Sequence, residues 1–467
     1  MPIDKPLHDL SAVELLASYR NGEVSPTEVL EDLLNHVAAW EPKLNALYAF
    51  DPDGARALAQ ASTERWRRKE PNGPLDGIPV TVKENIATKG TAVPLGTAAS
   101  TLQPAPEDAP PAARLREAGA IIFSKTTMPD YGMLSSGLSS FHGITRNPWD
   151  LAMNPGGSSA GAGAAAAAGY GPLHLGTDIG GSVRLPACWC GIFALKPSLG
   201  RVPIDPPYVG RVAGPMTRTV DDAALMMSVL SQPDPRDSMS LPPAAIPWGT
   251  LDRPLKGVRV GLMLDAGCGI PLDGEVREAV MAAARAFEAA GAAIEEAPPA
   301  VSLENVSGLD AFWRARAWDD MEKLGEDRKA KVLPFIWSWA EKGARLSGVD
   351  VVRGFNATMA IRARASQMFR TLDYVLSPVS PVLNFSAELP APMNDPDEPF
   401  GHIVYTVPWN MSEQPAASIN AGYGASGFPI GLQIIGKRFD DLGVLQMAKA
   451  FEALRPTQKE WPKPASG

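Results

Sequence analysis

The chain has 467 residues, 45% of them apolar and 20% charged, with a formal net charge of -9. That balance suits a globular fold with a large core. No basic block or basic–aromatic stripe occurs, which excludes a nucleic-acid partner. Length alone allows two or three domains, or one large α/β unit. The N-terminal stretch "MPIDKPLHDLSAV" lacks the apolar core of a signal peptide. The longest weakly polar run, Ser158 to Leu175, is Gly and Ala rather than bulky apolar residues, so no membrane span is expected. Three cysteines, an odd and low number, argue against a disulfide framework and for a reducing compartment, so the expected location is the cytoplasm. Cys188 and Cys190 have no second cysteine or histidine pair at metal-ligand spacing, and the five histidines are scattered. We therefore expect neither metal nor cofactor.

In chain order, "SAVE" (Ser11–Glu14) and "SPTE" (Ser25–Glu28) are capping boxes that start two helices. The first should stop near Gly22 and the second before Pro42. "ALYAF" reads as a strand, Ala55–Arg68 as a helix, and "GIPVTVKENI" as a buried strand ending at Lys83. A helix (Pro111–Ala118) and a strand (Ala120–Ser124) follow. The Gly/Ala tract from Ser158 to Gly169 reads as a tightly packed helix, "HLGTD" as a strand, and Thr219–Leu230 as a helix capped by Thr219. "VRVGLML" is a strand, Gly274–Ala290 a helix, and helices dominate Leu309–Leu372. "YVLSP" and "IGLQIIG" close the sheet before a last helix, Asp441–Leu454. The Pro- and acid-rich stretch Glu388–Pro399 reads as a surface loop. Strands alternating with helices predict an α/β fold: a large central mostly parallel or mixed β-sheet with helices on both faces.

Three places hold residues that folding alone does not require. Lys83 ends an apolar strand, where a lysine either snorkels to water or serves chemistry. "NPGGSSAGAG" (Asn154–Gly163) sets glycines and serines at a helix start, which suits a tight turn or an anion site. "GTDIGGSVRLPACWCG" (Gly176–Gly191) could aim the N–H groups of Ile179, Gly180, Gly181 and Ser182 at one point, with glycines keeping side chains out of the way. A serine nucleophile needs a base and an oxyanion site. No histidine stands near either serine loop. A lysine can be the base if burial lowers its pKa from about 10.4 toward neutrality. Nucleotide binding by these loops is the rival reading, but neither a P-loop nor a dinucleotide fingerprint is present.

Gly156-Gly157-Ser158-Ser159, then Asp178-Ile179-Gly180-Gly181-Ser182-Val183-Arg184, with Lys83 upstream in "VKEN", resembles the amidase signature family. So do "CGIFALKPSLGRVP" (Cys190–Pro203), "GPMTRTVDDAALM" (Gly214–Met226) and "GFPIGLQIIGKRFDD" (Gly427–Asp441). The resemblance covers nearly the whole chain and is weakest over about 299–405. It implies a single amidase signature domain, 1–467, with 299–405 as the variable pocket region. It also implies a Ser–cis-Ser–Lys triad: Ser182 as nucleophile, Ser158 as bridging serine after a cis bond from Gly157, and Lys83 as base. The oxyanion would be held by the N–H groups of Ile179, Gly180, Gly181 and Ser182, with Ser159, Asp178 and Arg184 bracing the loops. Ser159 is the rival to Ser158, and the family's spacing to Ser182 selects Ser158. Two departures stand out: Ala160 where a glycine is usual, and Leu185 where the glutamine-using transamidation subunits carry glutamine.

The acyl pocket in such enzymes is lined partly by the segment Met128–Gly143, so Gly132 and Met133 are the expected substrate-binding residues. Phe312, Trp313, Trp318, Phe335, Trp337, Trp339, Met359 and Met368 divide between helix core and pocket. The expected activity is hydrolysis of apolar or aryl amides, with carbamates and esters within reach of the same chemistry. The alternatives are a non-catalytic anion- or nucleotide-binding protein and a glutamine-dependent transamidation subunit. The partner is a small amide or carbamate; the oligomeric state stays open, with a homodimer as one candidate.

Overall fold

A computed structural model describes residues 5–464; Met1–Asp4, the start of the N-terminal stretch, and the last three residues lie outside the described residues. An eleven-stranded sheet runs through the molecule. Across it the strands are Leu47–Tyr48, Ile121–Thr126, Pro79–Lys83, Leu173–Asp178, Val212–Thr217, Phe193–Lys196, Ala416–Tyr423, Pro429–Gly436, Tyr374–Pro378, Arg259–Leu262 and Ala293–Glu296. Parallel pairings flank an unbroken run of antiparallel ones from Leu173–Asp178 to Tyr374–Pro378. The sheet is therefore mixed, as one of the two expectations had it.

Alternate residues on a strand feed opposite faces. Tyr374 and Leu376 join one apolar core with Val80, Phe287 and Phe451, while Val375 joins the other with Trp189, Ile361 and Trp409. The second core lies under the helices of 299–405, which include Leu303–Met321 and Gly348–Met368. Those two cross closely because Gly308 and Gly354 face each other, and a Cβ on Gly354 would stand 2.5 Å from the Gly308 carbonyl.

Both capping boxes form, and Gly22 ends the first helix in a left-handed conformation. The second helix does not stop before Pro42 but runs to Leu44, which is fully buried, and ends at left-handed Asn45. Pro42 stands inside the last turn of that helix. Strand Val212–Thr217 was hidden in the sequence because Gly214-Pro215 reads as a turn. Its glycine is required, since a Cβ there would meet the Leu195 carbonyl at 2.0 Å. The stretch Glu388–Pro399 is not only surface: Ala391 is buried and, with Pro399, lines the main cavity.

The small-residue helix Ala160–Ala168 is buried at every position. Its smallness has a purpose at Gly161, where a Cβ would stand 2.2 Å from the Ala46 carbonyl and 2.5 Å from the Thr127 nitrogen. Gly163 lets the same helix sit against Pro186 of helix Arg184–Cys190, an element the sequence did not announce. The two serine loops, one at the start of each helix, are thereby brought side by side. An alanine in a helix interior normally stabilises relative to glycine by up to about 1 kcal/mol. Here Gly161→Ala should instead destabilise by about 1–3 kcal/mol through overpacking, a loss that chemical denaturation would measure.

Candidate active site

Lys83 closes a strand that is buried at all five positions. Its side chain is fully buried, and Nζ donates to Ser158 Oγ at 2.8 Å. Among the described residues it has no ion-pair partner. Burial, and then the positive charge of Arg211, hold the amine well below the ordinary lysine pKa, against the weaker opposing pull of Asp178 and Glu84. The neutral amine is the favoured form in such a setting.

Ser158 follows a cis Gly157–Ser158 peptide bond. Gly157 has no room for a side chain, because a Cβ would meet Ser136 backbone atoms at 2.5 Å. Ser159 joins the two loops: its N–H donates to the Ser182 carbonyl at 3.2 Å, and its hydroxyl donates to the Thr177 carbonyl at 3.2 Å.

Ser182 sits between strand Leu173–Asp178 and helix Arg184–Cys190, half-buried, at the wall of a cavity of about 500 Å³ that Ser158 also lines. Among the described residues its hydroxyl has no hydrogen-bond partner, so the Ser158–Ser182 link of the expected relay is not closed in this structure. The N–H groups of Ile179, Gly180 and Ser182 likewise have no acceptor among the described residues. Gly181 differs from expectation: its N–H donates to Asp178 Oδ1 at 2.8 Å, so that donor is already engaged. Gly181 is required for its shape, with φ at +133° and Thr406 Oγ1 only 2.6 Å from where a Cβ would be.

Asp178 and Arg184 are both fully buried and paired, with Nη2 donating to Oδ1 at 2.9 Å and Nε to Oδ2 at 3.0 Å. Burial alone would raise the Asp178 pKa, but the guanidinium, with help from Lys196 and Asn410, holds it below the usual carboxylate range. Asp178 also accepts from the Val183 N–H at 3.1 Å. Arg184 donates onward to Asn410 Oδ1, Gln433 Oε1 and the Thr406 carbonyl, while Thr406 Oγ1 donates to the Gly180 carbonyl at 2.6 Å. These bonds fix the Ser182 loop to strand Pro429–Gly436 and helix Val407–Met411. The sequence reading missed Thr406, Asn410 and Gln433. Gln433 alone carried a signal, as the one polar side chain inside the apolar run "IGLQIIG".

Gly132 and Met133 both line the cavity, Gly132 directly beside Ser158. Of the aromatic residues singled out in 299–405, Trp313, Phe335 and Trp339 reach it. Phe312 packs on Phe355 and Trp318 on Trp337 instead. The lining further includes His402, whose burial pushes its imidazole down to about 4 and so keeps it neutral. Cys188 and Cys190 are both buried, Cys188 in the apolar core beneath the 299–405 helices and Cys190 in a separate small cluster against the Ala160–Ala168 helix. Removing one charge of a buried pair leaves the other uncompensated. Asp178→Asn should therefore cost about 3–5 kcal/mol of stability in a denaturant titration. An Asp178→Asn/Arg184→Met double variant should recover part of that loss.

The Amidase family model matches residues 28–445. An acylamidase of Rhodococcus erythropolis is 33% identical over 464 residues, covering 97% of each chain. A glutamyl-tRNA(Gln) amidotransferase subunit of Alkalilimnicola ehrlichii is 32% identical over 493 residues, covering 98% of this chain and 99% of that one. The crystal structure of a bacterial aryl acylamidase of the amidase signature family superposes with a TM-score of 0.89 at 29% identity, covering 96% of this chain and 97% of the other. Family model, relatives and fold agree, and the chain belongs to the amidase signature family of enzymes.

Proposed function

We propose that this chain hydrolyses apolar or aryl amides through Ser182, Ser158 and Lys83, with carbamates and esters as further substrates. The observation that carries the reading is a fully buried lysine with no ion-pair partner among the described residues, 2.8 Å from Ser158 Oγ, beside a serine flanked by N–H groups with no acceptor among those residues. Neutral Lys83 takes the Ser158 proton, Ser158 takes that of Ser182, and Ser182 Oγ attacks the carbonyl carbon. The N–H groups of Ile179, Gly180 and Ser182 hold the oxyanion, and Gly181 supplies the turn. The proton returns to the leaving amine along the same path, and water then cleaves the acyl-enzyme. Ser159 supports the serine loops, and Asp178 with Arg184 positions the nucleophile loop. Gly132 and Met133 would line the acyl side, and Trp313, Phe335 and Trp339 supply the apolar body of the pocket. The acylamidase of Rhodococcus as a relative is in keeping with this substrate class. Three free cysteines support a cytoplasmic location.

A glutamine-dependent transamidation subunit is the second reading, favoured by relatives at 32% identity. A panel of an aryl acetanilide, a fatty amide, an aryl carbamate, an ester and glutamine separates the two. Turnover of anilide or carbamate supports the hydrolase; turnover of glutamine alone supports the transamidation reading. Ser182→Ala should abolish turnover while leaving the circular dichroism spectrum intact, and a serine-directed phosphonate should label Ser182 in the wild type only.

The sign of the pH dependence follows from Lys83. Its reactive form is the neutral one, so kcat/KM should rise with pH through the depressed lysine pKa and fall away below it. Arg211→Gln removes a positive charge that depresses this pKa, and should move the rising limb to higher pH. Lys83→Ala should lose several orders of magnitude in rate; near-normal activity at mildly alkaline pH would refute the lysine as base.

A further inference from the structure

One side of the cavity is built from charge rather than rings. Arg211 and Arg316 both line it, and both are half-buried. Arg316 projects from helix Leu303–Met321, and its guanidinium lies over the Tyr208 ring, 3.7 Å from the centroid. That stacking fixes the plane of the fork. Arg211 follows the Tyr208 turn, with its N–H bonded to the Tyr208 carbonyl, and its Nη1 donates to the Pro206 carbonyl at 3.4 Å. The two cations sense each other: burial, and then the charge of Arg316, bring Arg211 down to about 10. Among the described residues neither guanidinium has an ion-pair partner. Asp205 and Asp320 line the same side, and their charges act on Arg211 and Arg316 respectively, but neither acid reaches ion-pair distance of a guanidinium.

Two half-buried cations near each other, with no carboxylate at ion-pair distance among the described residues, repel in a setting where water screens poorly. An anion between them would relieve that repulsion, and the planar guanidinium fork fits a carboxylate. We infer that the substrate carries a carboxylate in addition to the scissile amide, bound by Arg211 and Arg316 while its apolar body lies against Trp313, Phe335 and Trp339. This rests on the hydrolase reading above and narrows its substrate class from neutral aryl amides to aryl or apolar amides with an acidic group.

The test uses two matched pairs of aryl amides. In each pair one member is neutral and the other carries a carboxylate, on the acyl part in one pair and on the amine part in the other. Charge-assisted hydrogen bonds of this kind are worth about 1.5–3 kcal/mol, or roughly 10- to 100-fold in affinity. Wild type should prefer the carboxylate member of one pair by at least about tenfold in kcat/KM, mainly through KM. Raised salt should shrink the preference. Arg211→Gln and Arg316→Gln should each bring the ratio of the two members toward equality. Arg316→Lys, which keeps charge but loses the fork, should keep only part of the preference. Each ratio is taken within one protein at one pH, so any change in the Lys83 pKa cancels. Neutral substrates turned over with no preference in either pair would overturn the carboxylate site and leave the hydrolase reading standing. A preference that survives both Gln variants would overturn the assignment to these arginines. No turnover of any member, with no phosphonate labelling of Ser182, would overturn the hydrolase reading itself.

Discussion

The site depends on a lysine that the fold has removed from water with no carboxylate at ion-pair distance among the described residues. Burying a cation in this way costs several kcal/mol unless the group gives up its proton. Lys83 stands at the end of an interior strand, with parallel neighbours on both sides, so it has no route to the surface. The low pKa follows from that position. The nearby charges then tune it, Arg211 downward and Asp178 and Glu84 upward.

A second buried cation is treated in the opposite way. Arg184 meets Asp178 in a two-point ion pair, and each remaining donor finds an acceptor on Thr406, Asn410 or Gln433. The pair keeps its charges because its hydrogen bonds are complete. The result is a loop held by residues more than 200 positions further along the chain, with the N–H groups of Ile179, Gly180 and Ser182 free of acceptors among the described residues, beside the Ser182 hydroxyl. The same carboxylate that braces the loop engages the Gly181 N–H. Rigidity has thus been gained at the expense of one donor of the four that the sequence offered.

Much of this was legible in the sequence, for identifiable reasons. Lys83, Ser158 and Ser182 stand in short local motifs: a lysine ending an apolar strand, and two glycine-serine loops that each precede a helix. The capping boxes at Ser11 and Ser25 are local chemistry, and they form as written. What stayed hidden depends on distant partners. The central strand Val212–Thr217 contains Gly-Pro, which locally spells a turn, while its glycine answers to the Leu195 carbonyl pressed against it from a distant strand. Thr406 and Asn410 act on a loop more than 200 residues away in the chain, and nothing in their own neighbourhood announces it. The aromatic residues of 299–405 share one composition but divide between packing and pocket, since helix orientation rather than residue type decides which way each ring points.

The cavity combines a ring-lined body with a pair of arginines, so its specificity is a matter of both shape and charge. Beside it stands the buried lysine on which the chemistry of the account turns. The most direct test is a titration of the Lys83 side chain by NMR in ¹³C-lysine-labelled protein, with the resonance assigned from a Lys83→Met variant. The account predicts a midpoint well below the ordinary lysine value of about 10.4. A midpoint at or above that value would contradict it.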